Sequence, residues 1–177
     1  MKRVLIILGV LVLLFVGAYL LYNQIGYQPA PLISGSRDLG EGFLDFPAED
    51  QAGNAVYFSD FIDQPTIAFF WTSWCGFCKL GMDELVDLYE QIGDQVQILL
   101  VNLSWMGNRE LILGRDFMEA SDFPFASIYD IEGEAERLYA VNAVPLTLFL
   151  DADGTIHHRQ LGLMNADAML QVVSELG

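Results

Sequence analysis

The sequence predicts an α/β domain, a mixed sheet with helices on both faces and a hairpin at its start, set behind a single membrane-spanning helix. Three observations predict the domain. Residues 66–71 (TIAFFW) and 96–103 (VQILLVNL) are apolar runs of strand length, as strands buried on both faces require. Between them Met82, Leu85, Leu88, Tyr89 and Ile92 recur at three- and four-residue spacing, the stripe of an amphipathic helix over about 75–92. Residues 146–150 and 156–161 flank Asp151-Ala-Asp-Gly154, a strong turn signal, and read as a hairpin. Strand, helix and strand, followed by a hairpin and a helix, close into a layered α/β domain.

Taken in order, residues 4–22 (VLIILGVLVLLFVGAYLLY) form a 19-residue run without a charge. At about 1.5 Å per residue such a helix reaches roughly 28 Å, close to the hydrocarbon thickness of about 30 Å. Lys2 and Arg3 precede it and no Lys or Arg follows until Arg37, so residues 1–3 are expected in the cytoplasm and the rest outside. The competing reading, a cleaved signal peptide, would want a shorter apolar core and a small-x-small site. Here Pro29 and Pro31 flank Ala30. Residues 23–40, with their prolines and glycines, read as a linker to a domain over 41–177. Within it, residues 44–46 and 55–58 suggest a short hairpin around Gly53-Asn54. Asn108 is placed to cap a helix running to about 120, residues 134–139 form a short helix, and residues 166–176 form the last one.

Composition narrows the function. At 53% hydrophobic and 18% charged residues, the 177-residue chain is no disordered polymer. Its formal net charge is −16, and two of its 8 basic residues, but none of its 24 acids, lie in the first 27 positions. A domain so acidic has no footprint for a phosphate backbone, so no nucleic-acid partner is expected. It is also repelled by anionic lipid head groups, which leaves the N-terminal helix as the membrane contact.

Both cysteines of the chain lie in Cys75-Gly76-Phe77-Cys78, between a buried strand and a helix. A helix N-terminus offers unpaired N–H groups and a positive dipole end, which favour the Cys75 thiolate over the free thiol of pKa about 8.5. Cys78, one turn on, is placed to displace a mixed disulfide. A purely structural bridge closing so small a loop would constrain the unfolded chain little. Zinc would need two further ligands, and the only histidines, His157 and His158, are strand neighbours that point to opposite faces. No metal and no cofactor are expected.

The stretch from Phe70 to Lys79 (FWTSWCGFCK) resembles the active-site motif of thioredoxin-like proteins. It is most similar to the membrane-anchored, exported thiol–disulfide oxidoreductases of the TlpA/ResA type. The likeness runs from Leu44 to about Leu161 and takes in Val101-Asn102, Phe123-Pro124 and Ala143-Val144-Pro145-Leu146-Thr147. It implies the thioredoxin-like fold, a cis Pro145 beside the cysteines, and a Val144 backbone that pairs with an extended substrate segment. It further implies protein thiols and disulfides as substrates, apocytochrome c among them, and a membrane thiol-reductant transporter as electron donor. Several positions depart from the family pattern. A buried Asp six residues before the first cysteine is replaced by Phe69, a Glu three residues after the second by Gly81, and the helix proline by Asp83. Neither of the two carboxylates credited with moving the second thiol's proton is present.

Trp74 and Phe77 are candidates for an apolar rim that docks substrate, and Phe77 packed on its own helix start is the competing reading. Phe69, Phe70 and Trp71 read as core, and Trp105 as either rim residue or loop anchor. Catalysis is assigned to Cys75 and Cys78. The alternatives are a net oxidant that installs disulfides, a thiol peroxidase and a non-catalytic binding module. For a peroxidase the sequence offers Thr72 three residues before Cys75, but Ala68 where a proline is wanted.

Overall fold

The structure is a computed structural model that describes residue 17 and residues 40–104 and 107–177. The chain divides into two units, Met1–Ser34 and Gly35–Gly177, and the described residues other than Gly17 belong to the second. The expected tip, the anchor over 4–22 apart from Gly17, all of the linker but Gly40, and Trp105 lie outside the described residues. Among the described residues no helix is long and apolar enough to cross a membrane.

Seven strands form one sheet in the order β2-β1-β5-β4-β3-β6-β7. They are β1 (Pro47–Asp50), β2 (Ala55–Tyr57), β3 (Thr66–Trp71), β4 (Gln97–Asn102), β5 (Ala126–Tyr129), β6 (Leu146–Leu150) and β7 (Ile156–Leu161). Among the described residues from Gly40 onward the α-helices are α1 (Gly76–Ile92), α2 (Asn108–Glu119), α3 (Glu134–Tyr139) and α4 (Ala166–Val173). β3, β4 and β5 run parallel, while β6 is antiparallel to β3 and β1 is antiparallel to β5. This is the thioredoxin-like arrangement.

All six residues of β3 are buried, and period-2 alternation divides them between two cores. Ile67, Phe69 and Trp71 face Met82, Leu85 and Leu88 of α1 and Met169 of α4. Ala68 and Phe70 face Tyr139 of α3 and the aromatic pair Phe46 and Phe58. On that second face the helical cover is only six residues long, and aromatics complete it. Phe46 and Phe58 stack at 4.8 Å, and Tyr139 meets Phe58 edge-on at 6.0 Å. The Tyr139 hydroxyl accepts the Leu44 N–H at 2.8 Å and donates to the Leu44 carbonyl at 2.7 Å, which ties the incoming chain to this core.

Several boundaries differ from expectation. The opening hairpin forms, but its first strand is Pro47–Asp50 and not residues 44–46. The apolar triplet is spent on packing, with Phe46 buried against Phe58, and the polar segment after it takes the ladder. Phe58 leaves the second strand to open a 3₁₀ turn over Phe58–Phe61. Asn108 is the first helical residue of α2 and not its cap. The N-cap is Gly107 at φ 107°, a conformation that an L side chain resists, and its carbonyl accepts the Glu110 N–H. α4 ends at Val173 and not 176, because the bonds from Glu175 and Leu176 reach back only three residues. The strand β5 (ASIY) has no expectation behind it. It is held between β4 and β1, and its first two residues are too weakly apolar to signal a strand.

Candidate active site

The site stands where β3 ends and α1 begins, beside the loop that enters β6. Cys75 is the N-cap of α1, and its Sγ accepts the Cys78 N–H at 3.0 Å. The two sulfurs are joined as a disulfide with Cα atoms 5.2 Å apart. Cys78 is fully buried, while Cys75 keeps 6% of its surface, so a partner reaches the pair through Cys75. The Val144–Pro145 peptide is cis, and Cys75 Sγ lies 3.7 Å from the Val144 carbonyl oxygen. Val144 belongs to no strand ladder, since β6 pairs only from Leu146 onward.

The sequence-derived residues therefore gather at one place. Trp74 and Phe77 are 64% and 67% exposed beside the buried pair, so Phe77 does not pack down on its own helix start. Leu80, one turn beyond, is exposed as well and extends the rim. Phe69, Phe70 and Trp71 lie in the core. A cleft of about 180 Å³ opens between Trp74 and Thr72 on one side and Ala143, Val144 and Glu136 on the other. Burial pushes the Glu136 carboxyl above its ordinary value. Larger clefts lie away from the cysteines, among them one beside Glu84 and Asn165, one beside Phe123 and Phe125 and one beside His157 and Glu175.

The missing carboxylates have a steric explanation. A Cβ on Gly81 would lie 2.9 Å from Cζ and 3.1 Å from Cε2 of Phe69, so the ring occupies the room that an acidic side chain at 81 would need. The two departures are one packing solution. The other acids of α1 are engaged elsewhere. Asp83 is exposed to solvent, and Glu84 accepts the Ala166 N–H at 2.9 Å, capping α4.

One buried acid behind the site escaped the sequence reading. Glu110 of α2 is 5% exposed and accepts from the Ser73 N–H at 2.5 Å, the Ser73 hydroxyl at 2.6 Å and the Asn102 amide at 3.0 Å. Its only signal was a charge in the first turn of an amphipathic helix, which ordinarily means solvent. Asp130, at the end of β5, accepts from the N–H groups of Glu134, Ala135 and Glu136 and so caps α3. Burial pushes its carboxyl up to about 6 against the pull of those donors. His157 and His158 lie on β7, where His157 faces Asp151 and Glu175 and His158 meets the Phe149 ring. Among the described residues no group of three or more His, Cys, Asp or Glu is placed to hold a metal ion.

The AhpC/TSA family model matches residues 39–159, more than half of the chain and the whole of this site. The chain belongs to the AhpC/TSA family. Among the relatives of this family member is the sporulation thiol-disulfide oxidoreductase A of Bacillus subtilis, 29% identical over 113 residues, 63% of this chain and 68% of that protein. Another is the thiol-disulfide oxidoreductase ResA of Oceanobacillus iheyensis, 28% identical over 136 residues, 74% of this chain and 69% of that protein. The crystal structure of StoA from Bacillus subtilis superposes with a TM-score of 0.61 at 26% identity, covering 73% of this chain and 96% of that one. The resemblance to TlpA/ResA-type proteins drawn from the motif agrees with these relatives. The activity of these relatives is thiol–disulfide oxidoreduction, and Cys75 and Cys78 form a disulfide in this chain.

Proposed function

We propose that this protein is a membrane-tethered reductase of disulfides in polypeptides on the outer side of the cytoplasmic membrane. The observation that carries the reading is the chain's single cysteine pair, oxidised, at the N-terminus of α1 and beside a cis-proline loop. In the reduced protein the Cys75 thiolate attacks one sulfur of a substrate disulfide. The substrate S–S bond breaks, a Cys75–substrate disulfide forms, and the other substrate sulfur leaves as a thiolate that takes a proton. Cys78, having lost its proton, attacks Cys75 Sγ and releases the second substrate thiol. Two electrons pass to the substrate, and the Cys75–Cys78 disulfide of the structure is the product. Val144 offers its backbone to an extended substrate segment, Pro145 shapes that loop, and Trp74 and Phe77 supply apolar contact. A membrane thiol-reductant transporter returns the electrons, and apocytochrome c is a substrate; the family resemblance supports both. The uncharged 19-residue run over 4–22, with Lys2 and Arg3 before it, supports the tether.

The peroxidase reading has less behind it, because Ala68 stands where a proline is wanted. The test of direction is the reduction potential of the couple in the full chain, equilibrated against defined thiol buffers. A value at or below about −250 mV, near thioredoxin at about −270 mV, is expected. A value near about −120 mV would make the protein an oxidant. Cellular function that survives Cys75→Ser would leave only a binding module.

A further inference from the structure

We infer that Glu110 is a positioning residue for the reaction, clamping the loop that carries Cys75 while its buried negative charge disfavours the Cys75 thiolate. The inference rests on the reading of Cys75 as the attacking thiol. Ser73, the clamped residue, lies two positions before Cys75, and the loop is further closed by the Cys75 N–H donating to the Thr72 carbonyl at 3.1 Å. Successive Cα atoms are about 3.8 Å apart, which keeps the carboxylate within roughly 10 Å of Cys75. Every described partner of Glu110 is a donor, which suits a carboxylate that only accepts. Asn102 is itself held, since its Oδ1 accepts from the Ser104 hydroxyl at 2.6 Å, so the clamp reaches the end of β4. A buried charge is screened little by salt, so its field persists where an exposed acid's would fade.

The charge acts against the helix N-terminus. The α1 dipole and the Cys78 N–H draw Cys75 toward the thiolate, and an anion behind the loop draws it back. Less thiolate stabilisation means a less stable dithiol and a more reducing couple, the direction that a reductase needs. The other charged groups around the pair are accounted for. Lys79 of α1 sits 5.0 Å over the Phe117 ring, Glu136 of α3 lines the cleft, Asp83 faces solvent and Glu84 caps α4.

The experiment measures the alkylation rate of the reduced full chain, in detergent, against pH, with the modified cysteine mapped by mass. For Glu110→Gln, which keeps the shape and removes the charge, the midpoint for Cys75 falls by roughly one pH unit. Ser73→Ala, which keeps the charge and removes a donor, moves it the other way by a smaller amount. A merely structural role lowers thermal stability and leaves both midpoints in place, and that result overturns the inference. Should Glu110→Gln not fold, an unmoved midpoint in Ser73→Ala overturns it alone. If Cys78 is the thiol modified first in the parent, the reading of Cys75 as nucleophile fails, and this inference with it.

Discussion

Phe69 and Gly81 show how much one side chain decides. In a sequence they are two unrelated departures from a family pattern, one on a strand and one on a helix. Folded, they touch, and the ring excludes any side chain from position 81. Gly81→Glu should therefore cost about 1–3 kcal/mol, the usual penalty for overpacking a filled core. Adding Phe69→Ala should cost less than the sum of the two single changes, because the second opens the room that the first requires. Urea unfolding of the four proteins of this cycle checks it, and strict additivity would show that the contact does not matter. Cys75 and Cys78 stood out in the sequence as the chain's single cysteine pair, at a strand-to-helix junction and within a motif that resembles thioredoxin-like proteins. Glu110 was not, because nothing local says that the first turn of α2 faces inward onto Ser73.

At the scale of elements, β3, α3, β6 and β7 lie where periodicity and turn chemistry put them, because each is bounded by its own local signal. Strand β5 and the shift of β1 have no local signal. The backbone groups of residues 126–129 cover the edge of β4, and those of residues 49–50 cover the edge of β5 in turn, whatever their side chains. The helix α3 carries a pH prediction through its cap. Because Asp130 has a folded value of about 6, raised above the ordinary 3.8, the folded state holds a proton that the unfolded state has lost between those values. Stability should accordingly fall as pH rises from about 4 to 6, and the loss should be complete above that window. Asp130→Asn keeps an acceptor for the α3 amides and removes the titration, so its melting temperature should be flatter over this window. A parent whose stability rises from pH 4 to 6 as steeply as the variant's would refute the assignment.

For the molecule as a whole, the predictions concern net charge and the N-terminal run. With a formal net charge of −16, the protein should reduce basic peptide disulfides with a kcat/KM that declines as salt is added, and acidic ones with a kcat/KM that rises. An equal response for both would mean that the field at the Cys75 rim is set locally. Alkaline extraction should leave the chain in the membrane fraction, and N-terminal sequencing should start before residue 25. A start beyond it would make residues 4–22 a leader. The α/β fold class and the placing of Cys75 and Cys78 at a strand-to-helix junction were determined by the sequence alone, because period-2 burial, turn residues and a two-cysteine motif act over a few neighbouring positions. Tertiary structure alone decided that Phe69 fills the place of an acid, that Glu110 is turned inward onto Ser73, and that Trp74 and Phe77 stand exposed around a buried sulfur. Those facts depend on which elements meet across the sheet, and contacts between residues tens of positions apart leave no periodic trace in a chain.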